Sequence, residues 1–227
     1  LAAFILGTLV PNLAFHVRTV RQMSMPDDVV DPGITKYAGH ITAMTVAGVI
    51  AGQLDKMFVW SFVGAEALAF FYIAYTVPLA VSQYLVIVPT LAFAKFGETD
   101  PRTVRKTLLP KLFKYVLGIA LIVGTYILSA PYIFSWFFPQ YTDAVIYSQV
   151  LALVPLFAAF LPIKTYLTSI KATRALYVLS IIPPGLRILV AVFLIIPFGI
   201  WGAVLSLLTE GIAQTCLLMY FFLRAPR

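Results

Sequence analysis

Residues 95–136 read KFGETDPRTVRKTLLPKLFKYVLGIALIVGTYILSAPYIFSW. The first half carries six cations, Lys95, Arg102, Arg105, Lys106, Lys111 and Lys114, and from Tyr115 to Trp136 no charged residue occurs. An uncharged apolar run of this kind meets the ~20 residues, at about 1.5 Å each, that a helix needs to cross a bilayer. The basic flank then marks the cytoplasmic side. The same alternation runs through the chain. Cations gather at Arg18, Arg21 and Lys36, at Lys164, Lys171 and Arg174, and at Arg224 and Arg227, so that 14 of the 16 Lys and Arg residues fall in alternate gaps between apolar stretches. The intervening turns, around Trp60, from Pro131 to Asp143 and from Pro197 to Ile200, hold only Lys56, and Arg187 lies inside an apolar run.

Composition leads independently to an all-α, polytopic membrane helix bundle. With 61% hydrophobic and 11% charged residues and a mean hydropathy of +0.96, the chain has too little polar surface to wet a globule. The net charge of +7 belongs to cytoplasmic loops facing an anionic leaflet, so no nucleic-acid partner is implied and membrane lipids are the natural neighbours. Cys216, the single cysteine, lies in the last apolar run, can form no intrachain disulfide and reads as a packing residue.

The charge pattern predicts one partial N-terminal helix and six complete transmembrane helices. Leu1 to Phe15 is too short to span and lacks the flanks of a signal peptide. It reads as the end of a preceding span over residues 1–17, followed by a cytoplasmic linker over 18–35 that Pro26, Asp27, Asp28, Asp31, Pro32 and Gly33 keep from being helical. A six-helix lobe over 36–223 follows, with spans near Lys36–Phe62, Ala65–Ala94, Leu112–Trp136, Ala144–Leu167, Leu176–Pro197 and Ile200–Leu223, and a cytoplasmic tail over 224–227. The stretch from Phe96 to Lys114 is expected to hold a short interfacial helix, its cations set against headgroups. Prolines 78, 89, 155, 162, 183 and 184 point to kinked or interrupted helices. Trp60, Trp136, Phe137, Phe138, Tyr141 and Trp201 suit an interfacial aromatic belt.

Two spans have a polar side. At 100° per residue Thr42, Thr45, Gln53 and Lys56 share about an 80° arc. Tyr72, Tyr75, Thr76, Ser82, Gln83 and Thr90 share about 120° on the next span. Such stripes either bond helix to helix or line a polar cavity. Charges within the membrane are stronger pointers, costing at least ~2.5 kcal/mol at the bilayer centre. Arg187 lies 11 residues before Phe198 and Glu210 lies 11 after Gly199. Across a turn between them, both fall about 16 Å down, near the midplane, and can pair. The pair is either structural or a substrate or proton site. Soluble-enzyme chemistry is missing: no Gly-rich phosphate loop and no His or Cys pair at metal spacing stands in the chain, so neither catalysis nor a cofactor is expected.

Five short runs, Gly52-Gln53-Leu54-Asp55-Lys56, Phe62-Val63-Gly64-Ala65-Glu66, Phe71-Tyr72-Ile73-Ala74, Phe138-Pro139-Gln140-Tyr141 and Pro197-Phe198-Gly199-Ile200-Trp201-Gly202-Ala203, resemble Wzx-type polysaccharide flippases. That family belongs to the multidrug/oligosaccharidyl-lipid/polysaccharide exporter superfamily, and the resemblance runs from Lys36 to Leu223. It implies two lobes of about six helices each, alternating access to a cationic cavity, and this chain as the C-terminal lobe. It further implies an inner-membrane location with a cytoplasmic C-terminus and a lipid-linked glycan as substrate. The partners would be a missing N-terminal lobe and a coupling proton or sodium ion. Tyr72 and Tyr75 would stack on sugars, Lys56 and Arg187 would meet pyrophosphate, and Gln53, Thr42, Gln83 and Glu210 would complete the lining. Arg187 stands where the resemblance implies a small polar residue. The alternatives are a cation-coupled multidrug exporter of the same superfamily, and a membrane-embedded enzyme or accessory subunit of glycan assembly.

Overall fold

A computed structural model describes residues 52–54, 56–98 and 101–224, together with Arg18, Gly39 and Thr42. The chain divides into two compact units, Leu1–Thr42 and Ala43–Arg227, and the second carries the fold described below. The expected partial span at 1–17, most of the linker at 18–35 and most of the span Lys36–Phe62 lie outside the described residues. Of that last span, residues 52–54 and 56–62 are helical.

The helices that follow are α1 (Ala65–Leu85), α2 (Ile87–Glu98), α3 (Pro101–Phe137), α4 (Val145–Leu151), α5 (Val154–Ala158), α6 (Leu161–Ser169), α7 (Thr173–Phe198) and α8 (Ile200–Arg224). A 3₁₀ turn at Pro139–Ala144 links α3 to α4, and no strand occurs among the described residues. Five stretches are long and apolar enough to cross a membrane: Ala65–Phe93, Thr103–Phe137, Pro139–Ser169, Thr173–Phe198 and Ile200–Arg224. The protein is thus a multi-pass, all-α membrane protein. Its outer surface agrees, for Leu121, Leu128, Trp136 and Phe193 are 75%, 77%, 86% and 69% exposed, which only lipid would solvate.

Four expectations need correction. The basic segment before Tyr115 is not a separate interfacial helix, because α3 runs unbroken over 37 residues from Pro101. At 1.5 Å per residue that is about 55 Å, so its basic turns project beyond a ~30 Å core. Proline at a first helical position costs no backbone bond, and nothing between there and Phe137 stops the helix. Second, the prolines act unequally. Pro155 and Pro162 break the fourth crossing into α4, α5 and α6, and the breaks close with i to i+3 bonds such as Leu156 N to Leu153 O (3.1 Å) and Ile163 N to Phe160 O (3.0 Å). Pro89 accompanies the break at Val86, whereas Pro78, Pro183 and Pro184 stay inside α1 and α7. Third, of the aromatics expected in the belt, Trp60, Trp136 and Phe137 are exposed, but Trp201 packs on Tyr147 (ring centroids 4.9 Å apart) and Tyr141 packs edge-on against Phe70 (5.1 Å). Cys216, read as a packing residue, is exposed.

Two proline-freed carbonyls are tied across helices. A proline has no N–H to give the carbonyl four residues earlier. Pro89 leaves the Leu85 carbonyl open, and the Tyr115 hydroxyl of α3 donates to it at 3.4 Å. Pro131 leaves the Ile127 carbonyl open, and the Gln149 amide of α4 donates to it at 2.9 Å. In lipid, where water cannot serve, such freed acceptors need a protein donor. Beside them Tyr126 Oη and Ser148 Oγ meet at 2.6 Å, with Ser148 fully buried.

Two parts of the apolar core are clear among the described residues. One joins Val59, Phe71, Phe134, Leu151, Ile195 and Val204. The other joins Ile119, Val123, Ala152 and Ala159. The turn between α7 and α8 needs Gly199, whose φ of 57° is left-handed, and Gly202 lets the hairpin close: a Cβ there would lie 2.4 Å from the Leu194 carbonyl. That hairpin fixes the register of the charges within it.

Candidate functional site

The α7–α8 hairpin brings Arg187 and Glu210 together as their equal distances from the turn require. Arg187 Nη1 donates to Glu210 Oε2 at 2.8 Å, and the side chains are 11% and 23% exposed. Two opposite charges satisfy each other here at a depth where either alone would be costly. A third charge joins them. Lys164, half-buried on α6, lies within Coulombic reach of Glu210. Lys164 makes no salt bridge with Glu210, so the pair proper is Arg187 and Glu210, with Lys164 as a longer-range charge beside it.

Sequence reasoning missed Lys164 by counting it with the cytoplasmic gap. The turn proper runs from Ile170 to Ala172, and Lys164 stands on the helix before it. A signal was present: Lys164 is seven residues from Lys171, two turns inside an otherwise uncharged run.

A second constellation forms near the opposite end. Lys56 Nζ donates to Gln53 Oε1 at 3.1 Å, one helical turn away, and lies 5.3 Å from the centre of the Tyr72 ring. Cation, amide and aromatic ring thus meet from two segments, Gln53 and Tyr72 exposed and Lys56 half-buried. From Lys56 to Phe62 is about 9 Å of helix, so the group sits one to two turns below the Gly64 turn. Gly64 takes a φ of 117° to make that turn.

The remaining residues divide. Along α1 and α2, Tyr72, Thr76, Gln83 and Thr90 are all exposed, as one face would be. Thr76 and Thr90 donate to carbonyls four residues back in their own segments, at 2.7 and 2.9 Å, and Ser82 does so at 3.0 Å. Their hydroxyl protons are thus satisfied locally and need no cavity. Tyr75 is half-buried and stacks on Phe71, with ring centroids 5.9 Å apart, inside the apolar core. Thr42 is exposed and belongs to the first unit, Leu1–Thr42. Thr45 and Asp55 lie outside the described residues. The structure joins Lys56, Gln53 and Tyr72 in one place and Arg187, Glu210 and Lys164 in another.

Among the described residues no group of three or more His, Cys, Asp or Glu could hold a metal ion. No protein-family model, no curated protein and no solved structure matches this chain.

Proposed function

We propose that this chain is the C-terminal lobe of an alternating-access exporter that moves lipid-linked oligosaccharide or polysaccharide units across the cytoplasmic membrane. On this reading residues 36–62 complete a sixth span, the C-terminus is cytoplasmic and a preceding lobe forms the other wall of the cavity. The exporter needs neither a cofactor nor covalent catalysis. The observation that carries the reading is the meeting of Lys56, Gln53 and Tyr72 at the exposed polar face of α1. An ammonium suits a pyrophosphate, an amide suits sugar hydroxyls and a tyrosine ring suits the flat face of a pyranose. Gln83 supplies further polar surface along the same face.

The Arg187, Glu210 and Lys164 cluster suits a different task. Its acid is already engaged by Arg187, so it offers no free carboxylate to a cationic drug. This weighs against the multidrug reading and assigns the cluster to holding α6, α7 and α8 in register. A coupling proton or sodium ion would then act elsewhere.

The test is photocrosslinking of the intact protein in membranes with a labelled polyprenyl-pyrophosphate oligosaccharide. A photoreactive phenylalanine in place of Tyr72 should label with the glycan lipid, and excess unlabelled substrate should remove the label. The same probe in place of the lipid-facing Leu121 is the control. Equal labelling at both positions would reject the site.

A further inference from the structure

α7 and α8 run the same distance from their shared turn. Arg174 is 24 residues from Phe198 and Arg224 is 24 from Ile200, so both lie about 36 Å from the turn. That exceeds a ~30 Å hydrocarbon core and stays within the ~40–45 Å of a whole bilayer. The two guanidinium groups therefore stand at headgroup level. Lys171 joins them from the turn between α6 and α7, where its backbone takes a φ of 52°.

These cations surround a cavity of about 420 Å³. Lys171, Arg174 and Arg224 line it together with the apolar Leu167, Ile170 and Phe221. No acid lines it, and none of the three cations makes an ion pair among the described residues; Arg224 lies 4.7 Å over the ring of Tyr220. One carbonyl near the end of α8, that of Leu223, accepts from Arg105 of α3 at 2.9 Å. Three cations lining one cavity repel one another, and the arrangement makes sense when an anion enters between them.

We propose that this cavity binds the phosphodiester head of an anionic glycerophospholipid. The cations would take the phosphate, while Leu167, Ile170 and Phe221 would meet the top of the acyl chains. The volume lies within the ~300–1,000 Å³ of small-molecule sites. This inference does not depend on the glycan reading. The site sits on α6, α7 and α8, apart from Lys56, Gln53 and Tyr72, and would fasten the basic end of the hairpin to one leaflet.

The experiment is native mass spectrometry of the full chain released from nanodiscs of phosphatidylglycerol and phosphatidylcholine, with melting temperature as the folding control. Each cation near an anionic surface contributes roughly fivefold in binding, so K171Q/R174Q/R224Q should retain about a hundredfold less phosphatidylglycerol. K106Q/K111Q/K114Q, the same charge change on α3, should lose less than about tenfold. Thr173→Trp keeps all three charges but fills the cavity, and should lose retention as the first triple does. Equal loss in the two triples, or full retention with Thr173→Trp, would overturn the proposal in favour of general surface attraction. Displacement by soluble glycerol phosphate at the same concentration as lipid would also overturn it, by showing a free-phosphate site.

Discussion

Arg187 pairs directly with Glu210, while Lys164 acts on Glu210 only at longer range, and from this follows an asymmetry that can be measured. Removing one member of a buried pair typically costs ~3–5 kcal/mol, because the other is left uncompensated. Glu210→Leu takes its carboxylate partner from Arg187, only 11% exposed, and also takes away the acid that acts on Lys164. Its cost should stand at the top of that range, about 5 kcal/mol. Arg187→Leu leaves Glu210 with Lys164 still near, and should cost about 3 kcal/mol. The double variant removes the pair and leaves only Lys164, which lies two turns from the basic end and can extend towards it. It should cost less than Glu210→Leu alone, so the two effects should miss additivity by more than about 2 kcal/mol. Reversible unfolding in bicelles, followed by steric trapping, gives all three free energies. Additivity within about 0.5 kcal/mol, or Arg187→Leu costing as much as Glu210→Leu, would refute the three-charge cluster.

Three further outcomes are expected. Gly202→Ala sets a Cβ 2.4 Å from the Leu194 backbone, which cannot swing aside, and should destabilise by about 3 kcal/mol, whereas Gly118→Ala, with open space around it, should change unfolding by less than about 1 kcal/mol. Gln149→Leu should cost about 1–3 kcal/mol by orphaning the Ile127 carbonyl, and Pro131→Ala in the same chain should recover most of that loss by restoring a backbone N–H there, as thermal melts would read. Lys56→Ala removes a cation whose bonds are local and partly exposed, so stability should stay within about 0.5 kcal/mol while glycan-lipid binding falls at least about tenfold in a titration with labelled substrate.

Most of the fold was legible because a bilayer imposes length and charge rules on a sequence. The span expected at Ala65–Ala94 is found at Ala65–Phe93, and the last at Ile200–Leu223 is found at Ile200–Arg224. Arg187 and Glu210 could be paired from residue counts alone, since a helical hairpin with a glycine turn makes equal distances meet. Lys164 was misread because charge counting assigns a cation to a gap without asking whether a helix continues beneath it. The interruptions at Ala152–Leu153 and Ala159–Phe160 were foreshadowed by Pro155 and Pro162, but Pro183 and Pro184 carry the same signal and leave α7 whole. What decides between them is packing, which the local sequence does not encode. The ties from Tyr115 to Leu85 and from Gln149 to Ile127 were illegible for the same reason, because donor and acceptor stand 30 and 22 residues apart on different helices. Tyr75 shares a polar arc with Tyr72, yet it turns into the core against Phe71.

The most direct measurement is leaflet translocation of a fluorescent polyprenyl-pyrophosphate oligosaccharide by the intact protein in proteoliposomes, beside its Lys56→Ala variant. The account predicts movement by the intact protein and at least about a tenfold slower rate in the folded variant, each tenfold being about 1.4 kcal/mol of lost stabilisation. No movement by folded protein, or an unchanged rate without Lys56, would contradict it.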